Sequence, residues 1–153
     1  MISLIVNAGE DHKTLSRLLT ALVPAAAEGL IREVAVLGAL GRSADVADDA
    51  GADLYEAGAF AEALERTRGP WVAGLPMAAS FAPAWIEILS AHLAREPAEP
   101  ARLVSARAWP PLPGGPEGWL VPKAQAPSAA TAEEDLQRLA RRSGGRLRIL
   151  SRS

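Results

Sequence analysis

The chain of 153 residues has no cysteine. That excludes disulfides, thiolate metal sites and a cysteine nucleophile. Its two histidines, His12 and His92, stand far apart in sequence and give no spacing for a histidine-based zinc centre. Lysine occurs only at positions 13 and 123, so arginine carries nearly all the positive charge. Neither sign of charge dominates. A net charge of −2 makes no electrostatic case for nucleic acid or a membrane surface. No apolar run approaches the roughly 20 residues of a membrane helix, so no transmembrane segment is expected. Met1 leads directly into Ile2-Ser3-Leu4-Ile5-Val6, with no basic region and no small-residue cleavage site. A cytoplasmic protein is the expectation. The most informative gap is local: Gly69–Trp85, GPWVAGLPMAASFAPAW, contains no acid, no histidine and no lysine.

What is present suits one α/β domain. Apolar residues make up 49% of the chain, enough to build a core and too many for general disorder. Ile2–Val6 reads as a buried strand. Leu15, Leu18, Leu19 and Leu22 follow at helical spacing within Thr14–Ala27, where Pro24 should kink or end the helix. Glu33–Leu37 is a second strand, Ser43–Ala50 a short helix closed by Gly51, and Asp53-Leu54-Tyr55 a third strand. A helix over Ala59–Arg68 stops at Gly69-Pro70. Trp71–Leu75, bounded by Pro70 and Pro76, is a fourth strand. This β-α-β-α-β-α-β order argues for a parallel sheet with right-handed crossovers.

The second part of the chain is less regular. Pro83–Leu93 is a helix with Trp85, Ile86, Leu89 and Leu93 on one face, and Arg95–Arg102 is a linker. Leu103–Ala106 and Trp119–Val121 are short strands around a Pro/Gly loop at Pro110–Gly118. Ala124–Thr131 is loose, Ala132–Arg142 a final helix and Leu147–Leu150 a terminal strand.

In an open α/β sheet, ligands bind beyond the carboxyl ends of the strands. The loop after Leu75 is therefore a binding-loop candidate by position, although its composition denies it charge.

The order of elements resembles the family 2 glycosyltransferases of the GT-A fold, which transfer sugars from nucleotide diphosphates. Ser3-Leu4-Ile5-Val6 with Asn7, Glu10 and Asp11 is similar to that family's first strand and Asn-Glu loop. Leu18–Gly29 and Glu33-Val34-Ala35-Val36 resemble its first helix and second strand. Ala47-Asp48-Asp49-Ala50-Gly51-Ala52-Asp53 resembles its second helix running into AGAD. Gly69-Pro70-Trp71 through Pro83-Ala84-Trp85 resembles the strand with the metal motif and the Pro-Gly-Trp beyond it. Gly118-Trp119-Leu120-Val121-Pro122-Lys123 is similar to the family's GLLVPR, Glu133-Glu134-Asp135-Leu136 to its acidic acceptor-side helix, and Arg146–Leu150 to the strand after it.

The resemblance implies a GT-A-like, Rossmann-type α/β/α sandwich with a mostly parallel sheet. Residues 1–94 would form a nucleotide-binding half and 95–153 a shortened acceptor-side half. It further implies nucleotide contacts at Asn7, Glu10 and Asp11 and a base at Glu133 or Asp135, to which the residues themselves add Gly38 and Arg42 as candidate nucleotide contacts. Two departures bear on chemistry. The second strand ends Leu37-Gly38-Ala39-Leu40-Gly41-Arg42-Ser43, without the family's nucleotide-contacting Asp. Near Pro76-Met77-Ala78-Ala79, Ala78 stands where the metal-binding Asp belongs. Hard divalent cations need oxygen ligands, so no metal site or certain cofactor is expected, and Arg42 becomes the candidate partner of a diphosphate. The implied function is a degenerate glycosyltransferase-like protein with a nucleotide-sugar ligand and weak or no catalysis. Two alternatives stand beside it: a non-catalytic partner subunit, hetero- or homo-oligomeric, and an unrelated α/β protein sharing only architecture.

Each candidate also has a structural reading. Glu10 and Asp11 fit helix capping, and Glu133, Glu134 and Asp135 fit an acidic first helical turn. Asp45, Asp48 and Asp49 fit a solvated face, and His12 and His92 fit a loop and a structural position. Gly38-Ala39-Leu40-Gly41 lacks the spacing of a phosphate loop and reads as a turn. Trp71 and Trp85 sit at core spacing, whereas Trp109 and Trp119 are candidates for exposed contacts or an interface. Arg138, Arg141, Arg142, Arg146 and Arg148 make the C-terminal part basic, which suits either an anionic partner or a dipole-matched helix end.

Overall fold

The computed structural model describes residues 1–105, 117–127 and 132–151. Its strands are β1 (Ile2–Asn7), β2 (Ile31–Leu37), β3 (Asp53–Tyr55), β4 (Trp71–Leu75), β5 (Ser80–Phe81), β6 (Ala101–Ser105), β7 (Gly118–Pro122) and β8 (Arg146–Ser151). Its α-helices are α1 (His12–Ala27), α2 (Arg42–Asp49), α3 (Phe60–Arg66), α4 (Trp85–Leu93) and α5 (Glu133–Ser143).

The described strands form one eight-stranded sheet in the order β3-β2-β1-β4-β7-β6-β8-β5. β1 is flanked by β2 and β4, both parallel to it, and β3 extends that half in parallel. The two central strands, β1 and β4, read as near-continuous apolar runs because both faces of the sheet are covered there. Along β1, Leu4 and Val6 join the cluster under α1 and α4, while Ile5 joins the one under α3 and α5. β4 alternates likewise, with Ala73 and Leu75 on the first side and Val72 on the second.

The expectation of a mostly parallel sheet is corrected by the second half. β7 enters antiparallel between β4 and β6, β6 pairs in parallel with β8, and β5 lies antiparallel on β8. The sheet is mixed. Apolar patterning sets which residues make a strand and says little about its direction.

Several local expectations also change. Pro24 stays inside α1, one turn from its end, where only the Thr20 carbonyl loses a helical partner. The small-residue segment after β4 contains a strand, β5, because Phe81 pairs with Leu150. α4 begins at Trp85 rather than Pro83, since Ala84 at φ 62° is left-handed and lies outside the helix. Trp119 is 1% exposed, so it is a core residue and not a surface contact. Trp109 and positions 110–116 of the Pro/Gly loop lie outside the described residues. Trp71 is buried edge-on against His92, and Trp85 stacks on Phe81 at 4.0 Å. His92 is a core residue whose Nε2 lies 2.7 Å from the Glu99 carbonyl oxygen.

Candidate functional site

The carboxyl ends of the parallel strands are tied together by backbone. The Ala8 N–H donates to the Leu37 carbonyl at 2.8 Å, Leu40 to Gly9 at 3.1 Å, and Gly38 to Tyr55 at 2.9 Å. The loops after β1, β2 and β3 thus form one braced rim. Gly38 has φ 71°, a left-handed conformation that favours glycine, and a Cβ there would sit tightly, 3.1 Å from that of Ala57. Its N–H, a candidate phosphate donor, is already given to Tyr55.

At the end of β1, Asn7 reaches across the sheet. Its Nδ2 donates to Glu133 Oε2 at 2.7 Å, joining residues 126 apart in the chain. The other oxygen, Glu133 Oε1, accepts from Trp119 Nε1 at 2.8 Å. Glu133 is the first residue of α5, and Trp119 lies on β7 opposite Gly74 of β4. The half-buried carboxylate is therefore held from both sides, near the carboxyl end of β4. N–H donors to a carboxylate make strong hydrogen bonds and fix its orientation. Glu33, Glu62 and Glu117 sit in ion pairs with arginines. Glu133 instead is held by neutral donors. Each of its oxygens keeps a further lone pair, so it can still accept a hydrogen bond or a proton from a bound hydroxyl.

The indole of Trp119 fits there because residue 74 is glycine. A Cβ on Gly74 would fall 2.2 Å from Trp119 Nε1. Phe60 meets the ring edge-on at 6.3 Å from the other side. Sequence reasoning missed this clasp. Its only trace is a glycine in the middle of an apolar strand, which signals close approach without saying of what.

The remaining candidates fall as follows. Asp11 caps α1: its Oδ1 accepts from the Thr14 N–H at 3.1 Å and its Oδ2 from the Thr14 hydroxyl at 2.6 Å. These bonds, the hydroxyl's first, hold its carboxyl below the usual range. Glu10 is exposed on the same loop, and Arg42 is exposed at the start of α2. Asp135 reaches back toward the Ala132 N–H at 3.4 Å, at the start of α5. Lys123 donates to the carbonyls of Glu65 and Thr67 at the end of α3, a dipole-matched position. Asn7 and Glu133 are thus brought into contact, with Asp11 and Asp135 each capping its own helix.

The loop after β4 offers Pro76, Met77, Ala78 and Ala79, with Ala78 exposed. Among the described residues no three His, Asp or Glu side chains gather closely enough to hold an ion. The side chains of the loop after β4 offer no carboxylate to a divalent cation.

No protein-family model matches the chain, and no curated protein matches it in sequence. Solved structures do match in shape. Mannosyl-3-phosphoglycerate synthase from Rubrobacter xylanophilus aligns over 69% of this chain and 39% of its own, with TM-score 0.55 and 18% identity. Glucosyl-3-phosphoglycerate synthase from Mycobacterium tuberculosis, in complex with phosphoglyceric acid, aligns over 100% of this chain and 72% of its own, with TM-score 0.64 and 16% identity. The same enzyme with Mn²⁺, uridine diphosphate and glucosyl-3-phosphoglycerate aligns over 95% of this chain and 68% of its own, with TM-score 0.61 and 16% identity. The fold is GT-A-like. At these identities the likeness concerns architecture, and the chain spans about 39% of the length of the mannosyl synthase. Among the described residues no helix is long and apolar enough to cross a membrane.

Proposed function

We propose that this chain is a glycosyltransferase-like protein that binds a nucleotide sugar beyond the carboxyl ends of β1, β2 and β4, with weak or no transfer chemistry. The observation that carries the reading is the fold match, over 95% of this chain, to an enzyme solved with uridine diphosphate and a glucosylated product. The loops after β1, β2 and β3, braced by their backbone hydrogen bonds, support a nucleotide on residues 1–94 contacted by Asn7, Glu10, Asp11 and the backbone at Gly38, with Arg42 as the cation for the diphosphate. Residues 95–153 supply the acceptor side. There Glu133 is the better-placed base, because Asp135 is turned back toward its own helix end.

The weakness of the chemistry follows from the loop after β4. Stabilising the charge that develops on the leaving diphosphate is usually the largest catalytic term. A loop of Ala, Met and Pro side chains supplies no ligand for a metal to do this, which leaves Arg42 as the compensating charge. The partner-subunit reading keeps one observation in its favour, an open groove of mixed polar and apolar lining between α1 and α2.

Calorimetric titration with uridine diphosphate and other nucleoside diphosphates, with and without Mn²⁺, tests the proposal. Metal-independent binding is expected, weakened about tenfold or more by Arg42→Ala, the scale of one charge-assisted contact. Tightening by Mn²⁺ would overturn the metal-free reading. No binding of any nucleotide would overturn the nucleotide site.

A further inference from the structure

The outer face of α1 and α2 runs back from the rim described above, since α1 starts at His12 and α2 at Arg42, just after its loops. α1 carries Lys13 and Arg17 and no acid, while α2 carries Asp45, Asp48 and Asp49 against the single cation Arg42. Lys13, Arg17 and the three aspartates are all exposed. Among the described residues no ion pair joins the two helices. Two adjacent helices thus present opposite charge on one face, and neither neutralises the other by contact.

Between them runs a groove of about 320 Å³ lined by Ser16, Leu19, Thr20, Val23, Val46, Asp49 and Ala50. It continues, through Leu19, Val23 and Ala50, into a second hollow of about 280 Å³ over Ile31 and Val34. Val23 stands on this groove at 60% exposure, the highest of the large hydrophobic residues described. A basic strip, an acidic strip and an apolar knob beside a hollow make a surface that is complementary to itself. In a two-fold contact, residue i meets residue j and j meets i.

We propose that this face is the interface of a homodimer, in which α1 of one copy lies over α2 of the other. Lys13 and Arg17 then face the partner's Asp45 and Asp49, and the reciprocal contact occurs at the same time. Val23 of each copy enters the partner's groove beside Ala50. α1 is about 24 Å long at 1.5 Å per residue. With α2 beside it at helix-packing distance, the face buries roughly 1,000 Å² over both copies, near the lower limit for a specific interface. A weak dimer that loosens with salt is the consequence.

Sedimentation velocity of the whole chain across concentration tests this, and its readout is mass, independent of any nucleotide. A monomer–dimer equilibrium is expected, shifted toward monomer by 0.5 M NaCl and by Val23→Glu. Two charge-reversed variants, K13E/R17E and D45K/D49K, should each be monomeric alone. Mixed, they should form a heterodimer, because each presents the sign the other needs. That rescue shows the variants are folded and places both strips in one contact. A monomer at about 200 µM, or a dimer indifferent to Val23→Glu and to both reversals, would overturn the proposal.

Discussion

Glu133 shows how one side chain can hold two parts of a sheet together. Its carboxylate bridges the end of β1, through Asn7, and β7, through Trp119. Replacing Trp119, which is 1% exposed, with Phe removes the N–H together with part of the ring packed on Gly74, so a packing loss common to any background accompanies the loss of the donor. The half-buried Glu133 Oε1 then loses its donor, at a cost of about 1–3 kcal/mol. Urea denaturation of Trp119→Phe should show this loss, and the same change made on a Glu133→Ala background should cost less by that amount. Equal losses on both backgrounds would assign the effect to packing. The residues of this clasp were legible one at a time: Asn7 as a loop polar group, Glu133 as an acid in a first helical turn. Their contact was not legible, because it spans 126 residues and depends on the register that sets Trp119 opposite Gly74.

Among the elements, α1 departs furthest from its local signals. Proline in a helix interior is about 3 kcal/mol worse than alanine, yet α1 runs through Pro24 to Ala27. Burial explains it: Leu15, Leu18, Leu22 and Ala25 all pack inward, and Ala25 lies beyond the proline on the same buried stripe. Pro24 itself is exposed, so its ring meets solvent and the freed Thr20 carbonyl can be hydrated. Pro24→Ala should restore that helical hydrogen bond and stabilise the chain by about 1–3 kcal/mol, read as a higher midpoint in thermal melting. A lower midpoint would show that the proline is favoured by its restriction of the unfolded chain. The short strand β5 has the opposite history. Its two residues have no strand signal of their own and become a strand only because β8 lies beside them.

Across the whole molecule, an ion pair ties together the second half of the sheet, where parallel and antiparallel pairings mix. Arg102 of β6 makes two hydrogen bonds to Glu117, at 2.7 and 3.0 Å, and Arg141 of α5 lies 3.8 Å away. The hydrogen bonds from Arg102 hold the Glu117 carboxyl below its ordinary value of 4.5, and the same contact raises Arg102. A carboxyl depressed by folding contributes stability that is fully present above its unfolded value. That contribution is lost as pH falls from about 4.5 through the folded value. For a partly exposed pair the contribution is about 1 kcal/mol. Glu117→Gln should therefore lower stability at pH 7 and flatten the acid limb of a stability–pH curve. An unchanged acid limb would remove Glu117 from the account.

Local pattern along the chain set the α/β class, the four strands of the parallel half and their helices. Those follow from apolar runs and helical periodicity, which are local properties of the chain. The same local reading shows that the loop after β4 has no carboxylate, since no fold can put one where the chain has alanine. Tertiary structure alone decided that β7 runs antiparallel, that Trp119 is buried and that Asn7 meets Glu133. Each of these depends on pairing between distant segments, and pairing is chosen by packing over the whole sheet.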